Sequence, residues 1–275
     1  MVQTTNNSID NTSKKLSIQV SLNGLSFCAS NSNDQQITSI EHENFGIQLT
    51  PKQVLDKIKY NFDHNYNLKG TYDIIEVIYH NDLYTVVPKS LFNKELIKDY
   101  LKFNTKVLQN DFITYDELDQ HDIITVYIPY TNINNFFFDT FGSFTYKHSS
   151  SILIDTLLRQ EKNSDSAMVF ANMNKTSFDL VIINKGNLIL SNTFQYHTKE
   201  DFLYYLMYTT EQLKFNPEEF KLVFLGDINI GSDLFDIAHT YIRNVSFGNH
   251  TKEPSISPEV SPFEPHQHFI LLSHF

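Results

Sequence analysis

The sequence predicts an α/β protein of two duplicated halves, each with a mixed sheet that is led by a β-hairpin and flanked by helices. A strand, a tight turn, a second strand and then a helix occur near the start of each half. Hairpins make antiparallel pairs, whereas strand–helix–strand crossovers make parallel ones, so neither sheet is purely parallel. We predict a disordered polar tail at residues 1–15, a first half at 16–160 and a second half at 161–275.

Composition excludes several classes of function. The chain has 275 residues, 41% of them hydrophobic and 19% charged, as expected for a folded protein. A net charge of −11 argues against a nucleic-acid or anionic-membrane partner. Cys28 is the single cysteine, so neither an intramolecular disulfide nor a thiolate zinc cluster can form. The polar N-terminus and the absence of a long apolar run predict a cytoplasmic protein.

The first half begins with the alternating segment LSIQVSL, which predicts a half-buried strand. Asn23-Gly24 then predicts a two-residue hairpin turn with positive φ at both residues. A third strand is expected at residues 37–45. Thr50-Pro51 combines a capping residue with proline at the first helical position, and therefore predicts a helix start.

Further elements follow from periodicity and turn residues. In the first half we predict a second hairpin around Asn81-Asp82, a helix at 90–103, a strand at 122–129 and short helices near 132–138 and 150–159. In the second half we predict a strand at 167–173, a hairpin across Lys185-Gly186, a helix at 200–213, a buried strand at 220–225, a helix at 231–242, an exposed loop at 248–265 and a final strand at 268–272.

Three turns of this pattern carry a family resemblance. They are Val20-Ser21-Leu22-Asn23-Gly24, Asn172-Met173-Asn174-Lys175-Thr176-Ser177-Phe178-Asp179 and Leu225-Gly226-Asp227. The duplicated, hairpin-led pattern resembles the actin-like ATPase (ribonuclease H-like) fold of actin, sugar kinases, the Hsp70 ATPase domain and bacterial division and pilus-assembly ATPases. Over nearly its whole length the chain also resembles a bacterial family of unknown function to which this fold is ascribed.

The resemblance implies a vestigial nucleotide cleft between the halves. Ser21 stands where the family has a metal-linked Asp, and Asn23 and Gly24 complete that first phosphate turn. In the second turn Asn172 replaces an Asp and the glycines are gone, although Thr176, Ser177 and Asp179 remain. Gly226 and Asp227 keep one glycine of the adenosine-binding turn.

The chemistry of phosphate binding makes these replacements important. Glycine lets backbone N–H groups approach phosphate oxygens, and phosphate-bound Mg²⁺ is usually held through one or two carboxylates. The chain has only eight glycines and lacks both aspartates. We therefore expect no cofactor. The alternative is ATP with Mg²⁺, bound with Asp179, Thr176 and Asp227 in altered roles.

Other candidate sites have simpler structural interpretations. The acidic loop 227–233 superficially suggests calcium, but Ala238 stands where the bidentate Glu belongs, so we interpret it as a strand-to-helix loop. His266 and His268, with His274 nearby, are interpreted as an exposed strand edge rather than as metal ligands. The acidic segment 111–122 is expected to be a solvated loop. Cys28 is expected to be a buried hydrophobe.

A cluster of aromatic residues is the densest apolar spot in the sequence. It comprises Phe136, Phe137, Phe138, Phe141 and Phe144. Burial between the two halves is the favoured interpretation, and a partner-binding patch is the alternative.

Three functional hypotheses remain open. The leading one is a non-catalytic scaffold, adaptor or regulatory module with an unknown protein partner, and with no nucleic-acid or membrane partner. The alternative is an atypical nucleotide-binding protein or ATPase that uses the inter-half cleft. A third is an assembly-forming protein. We predict no catalytic residue and no metal site, because the common catalytic and metal-binding motifs are absent.

Overall fold

The computed structural model describes residues 13–250 and 255–273. Its strands are β1 (Lys14–Val20), β2 (Gly24–Asn31), β3 (Ile37–Asn44), β4 (Ile74–Tyr79), β5 (Tyr84–Pro88), β6 (Thr114–Leu118), β7 (Ile123–Tyr127), β8 (Thr145–His148), β9 (Ala167–Met173), β10 (Ser177–Asn184), β11 (Asn187–Gln195), β12 (Lys221–Gly226) and β13 (Asn244–Phe247). Its α-helices are α1 (Pro51–His64), α2 (Ile97–Leu101), α3 (Thr131–Phe141), α4 (Ser149–Gln160), α5 (Lys199–Gln212), α6 (Asp233–Tyr241) and α7 (Phe269–Leu272).

Two five-stranded sheets have the same topology, which confirms the predicted duplication. Their orders are β3-β2-β1-β4-β8 and β11-β10-β9-β12-β13. In each sheet the first strand pairs antiparallel with the second and parallel with the fourth, and the last two strands are parallel. Each half therefore consists of a three-stranded antiparallel meander followed by two parallel crossover strands.

The turns of the two leading hairpins differ in backbone conformation and in the contacts that stabilise them. Lys185 and Gly186 have φ of 50° and 71°, as a two-residue turn requires. Asn23 and Gly24 lack the positive φ that we predicted for them. Instead Ser21 Oγ accepts hydrogen bonds from the N–H groups of both residues, at 3.2 and 2.9 Å. Gly24 is needed for another reason, since a Cβ there would lie 2.8 Å from the Glu43 carbonyl oxygen of β3.

The predicted hairpin around Asn81-Asp82 is wrong. β4 joins β1 in the first sheet, whereas β5 belongs to a separate three-stranded sheet of order β5-β7-β6. Asn81 holds the chain where it changes sheet, because its amide donates to the Ile128 carbonyl at 3.0 Å and accepts from Leu83 N–H at 2.9 Å. Local sequence cannot distinguish such a turn from a hairpin, because both need polar turn residues.

The helix predicted at 90–103 is shorter than expected. Two 3₁₀ turns, Lys89–Leu91 and Lys94–Leu96, precede the five-residue α2. Asn93 interrupts the segment, since its side chain accepts from Glu95 N–H and caps the second turn.

The acidic segment 111–122 is not simply a solvated loop, because β6 lies within it. The Asp116 carboxylate accepts hydrogen bonds from Tyr127 OH at 3.0 Å, His148 N–H at 2.8 Å and Ser151 Oγ at 2.6 Å. Burial raises the pKa of Asp116 above its usual range, against the effect of these bonds. Asp116 is thus a structural residue that ties β6 to β7 and to the start of α4.

Both ends of the chain differ from expectation. Lys14 and Lys15 form the start of β1 rather than the end of a tail, while residues 1–12 lie outside the described range. The predicted final strand is instead α7, whose four residues are all buried. Continuous burial fits a helix enclosed on all sides better than the alternation of a half-buried strand.

The main core joins the two halves. α4 and α7 contribute to an apolar cluster that includes Cys28 and Ile78 of the first sheet and Phe170 and Val181 of the second. Cys28 is fully buried, as predicted, and burial raises the pKa of its thiol to about 12.

The aromatic cluster lies elsewhere than predicted. Phe136, Phe137 and Phe141 of α3 pack around Phe62 of α1, with ring centroids 5.7–6.2 Å apart. These contacts belong to the outer core of the first half, so burial between the halves is wrong. Phe138 projects outward and is 62% exposed.

Candidate functional site

The three resemblance turns converge on one cleft between the sheets. β1 and β9 occupy matching positions, and the turns that follow them face each other. Ser21, Asn23, Gly24, Ser177 and Asp227 line a polar cavity of about 100 Å³. An adjoining cavity of about 330 Å³ is lined in part by Asn172, Gly226 and Asp227.

Thr176 is the point at which the two phosphate turns touch. Asn23 Nδ2 donates to Thr176 Oγ1 at 2.8 Å, across the cleft. Nearby, Asn174 Nδ2 lies 3.3 Å from His80 Nε2, which adds a second polar contact between the halves. The turns are therefore bonded directly to each other at the place where the resemblance would put phosphate groups.

Asp179 is buried, and its carboxylate is already satisfied by protein groups. Oδ1 accepts from Thr193 Oγ1 at 2.7 Å, and Oδ2 accepts from Asn172 Nδ2 at 3.0 Å. His80 Nε2 lies 3.6 Å from the same Oδ2. The replaced residue Asn172 and the retained residue Asp179, on the two strands of the second hairpin, thus bind each other within a small buried network.

Sequence reasoning missed His80 and Asn81, which line the small cavity, and the fully buried His148, which contacts Asn81. His80 is 7% exposed, and its Nδ1 has no hydrogen-bond partner among the described residues. His148 Nδ1 accepts from Ser150 N–H at 3.1 Å, and its Nε2 lies 3.3 Å from Asn81 Oδ1. Burial, with a smaller contribution from His80, lowers the pKa of His148 to about 3.

The duplication contains a signal that would have found His80. Tyr79 pairs with Val20 in the first sheet, as Gly226 pairs with Met173 in the second. His80 and Asp227 are therefore at equivalent positions, each directly after the central parallel strand. A search of the first half for the counterpart of Asp227 would have identified it.

Gly226 is required by close packing. Its φ is +79°, and a Cβ would lie 2.3 Å from the Met173 carbonyl oxygen. Its N–H donates to the His266 carbonyl at 2.8 Å, so the C-terminal segment crosses this side of the cleft. The following loop leads to α6, where Ser232 caps Phe235 N–H, which confirms the strand-to-helix interpretation.

The predicted exposed histidine edge is wrong. His266 is buried, and its Nε2 lies 2.7 Å from the Ile228 carbonyl oxygen as a hydrogen-bond donor. His268 lines the larger cavity, and burial lowers its pKa to about 4, with a further lowering from His42. His274 lies outside the described residues.

The cleft does not fit ATP with Mg²⁺ at its phosphate end. Small-molecule sites commonly have volumes of about 300–1,000 Å³, and the cavity between the phosphate turns is much smaller. The direct bond between Asn23 and Thr176 links the turns across this cavity, and the Asp179 carboxylate is bonded within the protein. Ser21 and Asn172 supply no charge for the metal; the carboxylates that do line the small cavity are those of Asp82 and Asp227.

Comparison with known proteins agrees with this fold. The chain resembles a crystal structure from Bacteroides thetaiotaomicron, of a protein with actin-like ATPase fold and unknown function, at 19% identity and a TM-score of 0.77, over 96% of this chain and 95% of that one. It also resembles a chain of the PilM–PilN type IV pilus biogenesis complex, at 10% identity and a TM-score of 0.59, over 89% and 91% of the chains. The protein therefore has the actin-like ATPase fold.

A match to a family model shows the sequence family to which the chain belongs. Residues 3–245 match the model described as "Protein of unknown function (DUF3822)", and the chain belongs to that family. No curated protein matches the chain. Within the described residues, no helix is long and apolar enough to cross a bilayer.

Proposed function

We propose that this protein is a non-hydrolysing member of the actin-like fold that acts as a scaffold, adaptor or regulatory module through a protein partner. The observation that carries the proposal is the 2.8 Å hydrogen bond between Asn23 and Thr176, which joins the two phosphate turns. This bond ties the turns together where a γ-phosphate would lie, and it joins the two halves.

The buried network supports the same conclusion. In an ATPase a cleft carboxylate must be available to a metal ion or to the attacking water. Asp179 instead accepts bonds from Asn172 and Thr193, and its 2% exposure keeps it from the cavity. The PilM–PilN assembly is a precedent for a chain of this fold in a protein complex. A cleft whose turns are bonded to each other suits a binding surface better than a catalytic cycle of opening and closing.

The test is ATP turnover by the purified protein, compared with that of Asp179→Asn. We expect no Mg²⁺-dependent phosphate release from either protein. Asp233→Asn is the matched control, because Asp233 is exposed at the start of α6. Turnover by the wild type that Asp179→Asn abolishes and Asp233→Asn retains would contradict the proposal.

A second candidate is binding of a nucleoside without turnover. The larger cavity, of about 330 Å³, lies beside Gly226 and Asp227, where the resemblance places the adenosine. This candidate predicts that adenosine and ATP raise the melting temperature equally, with no effect of Mg²⁺. The first proposal predicts no rise with either compound.

A further inference from the structure

The segment between β5 and β6, residues 89–113, differs in charge from the rest of the chain. It contains five lysines and three acidic residues, a net charge of +2, whereas the remaining residues carry −13. Four of the lysines recur at every fourth position, at Lys94, Lys98, Lys102 and Lys106. We call this surface the lysine segment.

The lysine segment is anchored to the protein. Leu101 is fully buried, and Ile97 packs against the same small core, which includes Val87 of β5 and Val126 of β7. The segment therefore has a fixed inner side against the three-stranded sheet. Its outer side is a surface of the folded protein.

The outer side also carries an unusual share of exposed apolar side chains. Phe103 is 94% exposed, and Leu91 is 68% exposed. Five of the sixteen large hydrophobic side chains that are exposed among the described residues belong to this one segment: Leu91, Leu96, Phe103, Leu108 and Phe112. Concentrated apolar exposure indicates an interaction surface.

Lysines lie beside one of these apolar groups, Leu108. Lys98, Lys102 and Lys106 line one shallow depression together with Leu108. Lys102 forms an ion pair with Asp99 at 2.5 Å, and Lys94 lies over the Tyr115 ring at 5.7 Å. Long lysine stems can lie along apolar surface while their ammonium groups reach anionic groups beyond it.

We infer that the lysine segment docks on an anionic lipid bilayer. The choice of a bilayer over an acidic peptide rests on shape. The anchoring side chain of a peptide would need a walled pocket on this surface, but the depression beside Leu108 is shallow and open. A bilayer interface accepts a protruding aromatic residue directly, and nearby lysines then meet lipid headgroups.

The net charge of −11 does not oppose this docking. Screening at physiological salt has a length of about 8 Å, so charges on distant faces of the protein contribute little at the contact. The expectation of no membrane partner was drawn from the total charge. The lysine segment itself carries +2; its Lys89 pairs with Glu117 and Asp119 outside the segment, so the proposed contact depends on the other four lysines.

The experiment is cosedimentation of the full chain with vesicles of phosphatidylcholine, alone or mixed with phosphatidylglycerol. We expect binding only to the anionic vesicles, and weaker binding as salt is raised. The triple variant Lys98→Glu/Lys102→Glu/Lys106→Glu should weaken the partition by about 100-fold or more, because each lysine near such a surface contributes roughly a fivefold preference. Phe103→Ser should weaken it about tenfold.

Matched variants separate a specific surface from general charge. Tyr66→Ser removes another aromatic residue, 88% exposed, and Lys52→Glu/Lys162→Glu/Lys221→Glu makes the same change of charge on other exposed lysines. Both should bind almost as the wild type does. The inference is overturned if the wild type does not bind anionic vesicles, or if the control variants lose as much binding as the lysine-segment variants. Binding of a soluble Glu- and Phe-rich peptide without vesicle binding would also overturn it, in favour of a protein partner.

Discussion

Acid should destabilise this protein through His148, which is the N-cap of α4. In its neutral form Nδ1 accepts from Ser150 N–H, and Nε2–H faces Asn81 Oδ1. The rings of Tyr84 and Tyr127 lie 4.7 and 5.1 Å from the imidazole, centroid to centroid, and exclude water. Protonation at Nδ1 would remove the cap and place a charge in this apolar enclosure.

The direction and the size of this change in stability follow from the pKa of His148. Burial lowers the pKa of His148 from 6.5 to about 3, so between these values the unfolded chain binds a proton that the folded chain does not. Stability therefore falls as pH falls through this window, by roughly 4–5 kcal/mol over its full width. Between about pH 7.5 and about pH 4.5 the loss from His148 should be roughly 2–3 kcal/mol.

The assay is urea denaturation of the wild type and His148→Asn at these two pH values. Asparagine is a good N-cap, so the variant keeps an acceptor for Ser150 N–H but does not titrate. It should be less stable at neutral pH, because the ring packing is lost, and its further loss in acid should be smaller than that of the wild type by roughly 2–3 kcal/mol.

The contributions of neighbouring titratable groups to the loss of stability in acid cancel when the wild type is compared with His148→Asn. His80 and Asp116 both lie close to His148, and the Asp116 carboxylate is bonded to the His148 backbone N–H, which the variant retains. His197→Asn, at an exposed histidine, is the control and should lose as much stability in acid as the wild type. An equal loss in wild type and His148→Asn would refute the reasoning.

Three further predictions address the packing of the site and core. Gly226→Ala should lower the free energy of unfolding by about 3 kcal/mol or more. Gly231→Ala has a similar φ of +74°, but no atom of the described residues lies within 4 Å of its new Cβ, so it should cost only about 1 kcal/mol; equal losses by denaturation would show that close packing is unimportant. Asp116→Ala should cost about 3–5 kcal/mol, because it leaves three donors without their acceptor, and a loss under 1 kcal/mol would contradict that role. Cys28 should react with a thiol reagent only after unfolding, since the native thiol is buried with a pKa of about 12, and rapid reaction of the native protein would be inconsistent with the core described.

Sequence patterns predicted those elements whose signals are local. The strand β9 has its predicted bounds, and β10 and β11 form the predicted hairpin across Lys185-Gly186. The helix α1 begins at Pro51, with Thr50 and Gln53 forming a capping box. These elements need only periodicity, turn residues and caps, all of which lie within a few positions along the chain.

The wrong predictions concern elements whose pairing or packing partners are distant in sequence. β4 and β5 look like a hairpin, but they pair with β1 and β7 in different sheets. The apolar run of α7 suits a strand as well as a helix, and only enclosure between the two sheets decides between them.

The sequence was enough to predict which turns form the candidate site, but not the hydrogen bonds between their side chains. The resemblance brought Ser21, Asn172 and Gly226 to one cleft, as the structure also does. The contacts that close the cleft depend on side-chain positions, so neither the Asn23–Thr176 bond nor the burial of His80 has a sequence signal of its own. By contrast, the recurrence of lysine at every fourth position in the lysine segment is visible in the sequence.

The most direct test of a closed, non-hydrolysing cleft is a thermal-shift titration of the purified protein with ATP, ADP and GTP, with and without Mg²⁺. A ligand that binds only the folded state adds about 2.7 kcal/mol at 100 times its dissociation constant, which corresponds to a shift of several degrees. We expect no shift at millimolar nucleotide, because Asn23 and Thr176 hold the phosphate turns together. A nucleotide-specific shift that requires Mg²⁺ would contradict it.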